Sequence, residues 1–172
     1  RRDAAADMWL RLAATDSSNT KLVAQVVSAM AEGGNSRRAE PLITRIVDEN
    51  PDDVVLLRQK WRVTTDNRHW AAAIKTGEKL LEIDTVAVRD STFYQRLATA
   101  YRFNGQPFKS IEMAARGVSA FPDDPKLYSL YTQFIKEESD TVIGRGLALF
   151  PGSAELAALS ARDLRNRGKV AE

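Results

Sequence analysis

The small residue that opens a helix recurs along this chain at an almost constant interval. Ala5, Ala39, Ala73, Ser110 and Ser139 are separated by 34, 34, 37 and 29 residues. A second marker, the position where a helix stops, falls at Pro51, Thr85, Pro122 and Pro151 and repeats the 34, 37 and 29. Agreement between two independent markers means that one short unit is used in series. Departures are visible too: Thr85 stands where proline is expected, Trp61 where a small residue is usual, and two units differ in length.

The best-formed unit runs from Ser91 to Asp124. Tyr94, Leu97, Ala98 and Tyr101 share one face at the i, i+3, i+4, i+7 spacing of an amphipathic helix. Asn104-Gly105-Gln106-Pro107 then supplies a tight corner, where glycine accepts positive φ without a steric penalty. A second helix carries Ile111, Ala114, Ala115 and Val118 inward and stops near Phe121-Pro122. Small residues at Ala98, Ser110, Ala114 and Gly117 predict closely packed antiparallel helices. With its spacing of 34, the chain resembles the tetratricopeptide repeat (TPR) family over nearly its whole length. The resemblance implies an all-α fold, an α-α superhelix of stacked antiparallel hairpins, with at least nine helices and no sheet.

In chain order, residues 3–19 read as the second helix of a truncated unit, with Ala5, Trp9, Leu12 and Ala13 at helical spacing. Four hairpin units follow, at about 20–53, 54–87, 91–124 and 124–151. The first buries Val23, Val26, Val27 and Met30 against Ala39, Leu42, Ile43, Ile46 and Val47, with Gly33-Gly34 at its corner. Pro41 falls early in the second helix of that unit, where proline is tolerated. The second packs Val54, Leu57, Trp61 and Thr64 against Ala73, Ile74, Leu80 and Leu81, and Trp70 plugs the gap to a neighbouring hairpin. Residues 84–90 carry a three-residue excess. The fourth unit faces Leu127, Leu130, Tyr131 and Phe134 against Val142, Ile143, Leu147 and Phe150 across a shortened corner at 136–140. Residues 153–167 form a terminal capping helix, amphipathic through Leu156, Leu159 and Leu164, or the first helix of another unit. The whole is one repeat domain, and the abrupt Arg1-Arg2 start marks it as a piece of a longer protein, which leaves its localisation open.

Composition narrows the chemistry. A net charge of +2 points to neither a nucleic-acid tail nor an acidic one. With no cysteine, disulfides and cysteine-ligated metal are excluded. No apolar run approaches the roughly 20 residues that span a bilayer. His69, the single histidine, lies in the polar corner Asp66-Asn67-Arg68-His69 and reads as a solvated turn residue. No metal-ligand spacing, nucleophile arrangement or phosphate loop is present, so no enzyme, metal or cofactor is expected. Phe93, Tyr94 and Tyr101 read as core rather than as a platform for bases.

What remains is surface. The resemblance implies that first helices line a concave groove, whose wall reads as Lys21, Gln25 and Ser28, then Arg58, Gln59 and Arg62. Gln95, Arg96, Thr99 and Arg102 continue it, followed by Tyr128, Thr132 and Lys136. Basic residues recur, with only Glu32 and Asp66 near the edge, which suits an extended acidic or carboxylate-ended peptide of a partner protein. The lysine–asparagine–arginine clamp by which one subclass of the family grips chaperone tails does not transfer. Ala24, Ser28 and Thr92 occupy its positions, and only Gln59 and Arg96 match in part.

The leading reading is therefore a protein–protein interaction scaffold binding such a peptide. The alternative is a structural or self-assembling solenoid, whose contacts are Met8 and Trp9 at one end and Leu156, Leu159 and Leu164 at the other. An RNA-binding repeat would need a stronger basic stripe than a net charge of +2 supplies.

Overall fold

A computed structural model describes residues 2–16, 18–83, 90–134, 143–144, 147–148, 151–152 and 154–166. Among the described residues there are nine helices and no strand: α1 (Arg2–Thr15), α2 (Thr20–Glu32), α3 (Ser36–Glu49), α4 (Val54–Asp66), α5 (Trp70–Ile83), α6 (Ser91–Phe103), α7 (Pro107–Ala120), α8 (Pro125–Phe134) and α9 (Ala154–Asn166). Residues 143–144 and 147–148 are also helical. The expectations for residues 84–89, Lys136 and the corner at 136–140, Val142, Phe150 and the side chains of Phe134 and Leu159 lie outside the described residues. The chain forms two compact units, Arg1–Ala87 and Val88–Glu172.

Three hairpins share one construction. The first helices α2, α4 and α6 each have 13 residues, and the second helices α3, α5 and α7 each have 14. Every corner holds one residue in left-handed backbone: Gly34 at φ 77°, Arg68 at 60° and Gly105 at 74°. The next N–H then reaches back over the helix end. Asn35 donates to the carbonyl of Met30 at 2.8 Å, His69 to Thr64 at 2.9 Å and Gln106 to Tyr101 at 2.9 Å. This is the Schellman closure, which satisfies carbonyls left over at a helix C-terminus. The carbonyl of that same residue starts the second helix, accepting from Ala39, Ala73 and Ser110 respectively. One residue therefore ends one helix and begins the next.

Arg68 does with a side chain what Gly34 and Gly105 do without one. A left-handed non-glycine residue costs about 1–2 kcal/mol, and glycine returns about 0.5–1 kcal/mol of that through the entropy of the unfolded chain. Arg68→Gly should therefore raise stability by about 0.5–1 kcal/mol in a denaturant melt. A loss would show that the arginine side chain carries a contact of its own.

The connectors between hairpins begin each first helix with a side-chain cap. Asn19 Oδ1 accepts from the N–H of Leu22 (3.1 Å), and Asp53 Oδ1 from those of Val55 (2.9 Å) and Leu56 (3.1 Å). Asp90 Oδ1 accepts from Thr92 at 2.8 Å and Asp124 Oδ1 from Lys126 at 2.9 Å. Such caps are worth about 1 kcal/mol each. Their spacing of 34, 37 and 34 is a third marker of the repeat.

In Arg1–Ala87, α1 packs on α2, α2 on α3 and α4, and α4 between α3 and α5. Val23, Val26, Val27 and Met30 are buried, as are Ala39, Ile43, Ile46, Val47, Ala73, Ile74 and Leu80. Leu56 and Val63 join them at 0% exposure, which the single face Val54-Leu57-Trp61-Thr64 did not anticipate. A helix touched by three neighbours buries a wider wedge than one stripe. Val54, Trp61, Trp70, Leu42 and Leu81 are only half-buried, so Trp70 is not a sealed plug and Trp61 is not fully packed away. In α1 the expected face is displaced: Ala6 and Ala13 are buried, Trp9 is half-buried, and Ala5 and Leu12 are exposed. Glu40 of α3 ties the α4–α5 corner down, receiving Asn67 Nδ2 at 2.5 Å and meeting His69 Nδ1 at 2.7 Å. His69 is exposed as expected, but it is anchored rather than merely solvated.

In Val88–Glu172, α6 packs on α7 and α8, α7 on α8, and α8 on α9. Phe93, Tyr94, Leu97, Ala98 and Tyr101 are buried, and the Phe93 and Tyr94 rings meet edge to face at 6.0 Å. They are core, as the spacing implied. Ala114 and Val118 of α7 are buried with Met113, whereas Ile111 and Ala115 are half-buried. Ser110, buried, donates to the carbonyl of Ala98 at 2.7 Å and marks where the helices touch.

Candidate functional site

The residues expected on the wall can be compared through the hairpin register. Because first helices begin at Thr20, Val54, Ser91 and Pro125, position by position Gln25 corresponds to Gln59, Arg96 and Leu130. Ser28 likewise corresponds to Arg62 and Thr99. On α4, Val55, Arg58, Gln59 and Arg62 fall at i, i+3, i+4 and i+7, one face of the helix. Val55 is 51% exposed and was not named from sequence, since an isolated valine in an apolar run carries no outward signal. On the adjacent α2, Lys21 and Gln25 are exposed and Ser28 is half-buried.

The two helices are joined across this face. Ser28 Oγ donates to Glu32 Oε1 at 3.0 Å, and Arg62 Nη1 donates to Ser28 Oγ at 3.2 Å. The same guanidinium nitrogen lies 3.5 Å from Glu32 Oε1. Glu32 thus balances Arg62, and the face of Arg1–Ala87 is less basic than the residue count implied. The other acid near the edge, Asp66, accepts from Ser36 Oγ at 3.3 Å. Gln59 Oε1 is buried and accepts no hydrogen bond from the described residues.

Val88–Glu172 presents its own face on α6. Gln95, Arg96 and Thr99 are half-buried and Arg102 is exposed in the last turn. Gln95 Nε2 donates to Asp124 Oδ2 at 3.1 Å, and Thr99 Oγ1 turns back to the carbonyl of Gln95 at 2.7 Å. Tyr128 and Thr132 are not wall residues: they are buried, at 1% and 8% exposure. The register explains the error. Tyr128 corresponds to Tyr94 and Thr132 to Ala98, both of them core positions. The outward row of α8 is Lys126, Ser129 and Leu130, of which Ser129 is itself buried. Lys136 lies outside the described residues.

Among the described residues, no three His, Cys, Asp or Glu side chains gather where they could hold a metal ion. None of the described helices is long and apolar enough to cross a membrane.

No protein-family model matches the sequence, and no curated protein matches it significantly. Solved structures do match its fold. YrrB, a TPR protein with an unusual peptide-binding site, aligns at a TM-score of 0.73 and 11% identity, over 96% of this chain and 87% of its own. MamA from Desulfovibrio magneticus RS-1 aligns at 0.71 and 18% identity, over 89% of this chain and 88% of its own. The APC/C hetero-tetramer Cut9–Hcn1 aligns at 0.64 and 16% identity, over 83% of this chain but 29% of that one.

Proposed function

We propose that this chain, which has the tetratricopeptide repeat fold of those solved structures, is a protein-interaction scaffold and not an enzyme. Its α2–α4 face binds an extended acidic segment of a partner protein. The observation that carries this reading is the row Val55, Arg58, Gln59 and Arg62 on one face of α4, exposed at Val55 and half-buried at the other three, beside the exposed Lys21 and Gln25 of α2. A carboxylate of the segment suits the guanidinium groups and Lys21. Gln95, Arg96, Thr99 and Arg102 on α6 offer the same chemistry in the second unit.

A labelled, Asp/Glu-rich decapeptide is the probe, read by fluorescence anisotropy. Arg58→Glu with Arg62→Glu should weaken its capture about tenfold or more, since charge-assisted hydrogen bonds contribute about 1.5–3 kcal/mol each and less when wet. Added salt should weaken the unmodified protein as well. Glu32→Gln should strengthen binding about twofold by releasing Arg62. Indifference to all three changes would mean that the face is simply solvated.

The second reading, assembly through the end helices, then takes its place. It draws on Met8 at 64% and Leu12 at 40% exposure on α1, and on Leu164 at 38% on α9. Leu156, at 0% exposure, is packed inside and is not available to it. Sedimentation of the chain across concentrations separates the two readings.

A further inference from the structure

Lys60 stands where the same chain elsewhere places core aliphatic residues. By helix register it corresponds to Val26 and Leu97, exposed by 1% and 0%. Its own side chain is only 15% exposed, so the stem of a lysine occupies a position that packing elsewhere gives to a shorter aliphatic residue. The one ion pair the structure gives it is loose. Nζ lies 3.6 Å from Asp48 Oδ1, whose side chain is 70% exposed, against the 2.7–2.9 Å of a well-formed charged hydrogen bond.

Beside it lies a cleft of about 290 Å³ between the end of α3, α4 and α5. Lys60, Lys75 and Lys79 line it together with Pro51, Leu57 and Ala72. Among the described residues that line it, Asp48 is the only acid. Lys75 and Lys79 are one turn apart on α5, so both stems rise on one side of the opening. Lys79 is engaged from outside by Asp52 at 2.8 Å, an aspartate that is 81% exposed and can yield to a competitor. The Thr76 hydroxyl is turned back to the carbonyl of Ala72 at 2.9 Å, so attraction here falls to the ammonium groups.

We propose that this cleft is a binding site for a small organic oxyanion: a phosphate or carboxylate head on a short apolar body. The head sits among the three ammonium groups and the body lies on Pro51, Leu57 and Ala72. The site is separate from the α2–α4 face and does not depend on the reading of that face.

The test is a titration of the whole chain, followed by amide chemical shifts at constant ionic strength. The probes are butyl phosphate, butyrate, inorganic phosphate and 1-butanol. Saturable shifts should cluster on Leu57, Lys60, Ala72, Lys75 and Thr76 with butyl phosphate, butyrate or both, and the two arms identify the preferred head. Inorganic phosphate should bind about tenfold more weakly than butyl phosphate, because it leaves the apolar floor uncovered. Lys60→Met, which restores an apolar side chain at a core position, should keep or raise the melting temperature and weaken binding about tenfold. Lys75→Gln, on the open side, leaves packing untouched and should weaken binding about threefold. Shifts scattered over all surface lysines, equal binding of 1-butanol, or affinities unchanged in both variants would each overturn the assignment.

Discussion

Leu56→Ala should lower stability by about 2–5 kcal/mol, more than truncation of either tryptophan in the same hairpin. Leu56 is 0% exposed on α4, which α2, α3 and α5 all touch, so the lost atoms leave a cavity that no single neighbour can fill. The loss combines the transfer energy of the removed carbons with the price of that cavity. Trp61 and Trp70 are half-buried, and part of each ring keeps its water contact in the native state. Their truncation should therefore cost nearer 2 kcal/mol than the 3–5 of a sealed ring. Urea melts of the three alanine variants decide the order. If Trp61→Ala or Trp70→Ala proves the most damaging, the tryptophans seal the hairpin after all.

The second large effect is expected at Gly117. An added Cβ there would lie 2.9 Å from both Tyr94 Cβ and Leu127 Cδ2, closer than carbon atoms approach in folded proteins. Leu127 Cδ2 is the end of a side chain and can turn away. Tyr94 Cβ is fixed to the α6 backbone, so the helices themselves must part. Two effects compete. Replacing a mid-helix glycine by alanine gains about 1 kcal/mol of propensity, whereas overpacking a core costs about 1–3 kcal/mol. Gly117→Ala should thus be neutral to about 2 kcal/mol destabilising, and Gly117→Val should lose about 3 kcal/mol. A valine variant as stable as the original would show that α7 has room to move.

The repeat, its hairpins and most of their apolar faces were legible because spacing survives even when residue identity drifts. Gly34 and Gly105 announced their corners, and the polar run Asp66-Asn67-Arg68-His69 announced the third, though not that Arg68 would take its left-handed position. What the sequence hid was of another kind. The buried faces of α4 and α8 depend on how many helices surround each of them, which a single-stripe pattern does not encode. Counting from the Asp90 and Asp124 caps, rather than from the apolar pattern of α8, would have placed Tyr128 and Thr132 inside. The residues expected of the wall were named one helix at a time, from the pattern within each helix. The Glu32–Arg62 pairing needed the α2–α4 neighbourhood.

The shared corner has a further consequence. A first helix of 13 residues, three corner residues and a second helix of 14 make a cassette whose length does not vary among the three described hairpins. Spacing changes between them only in the connectors, four residues long after α3 and α7 and seven after α5. An insertion at Gly34, Arg68 or Gly105 would break a helix end and a helix start together. One placed just before Asp53 or Asp124 breaks neither. Those connectors are the natural splice points of the chain, where whole cassettes can be duplicated, deleted or exchanged without rewriting a single helix.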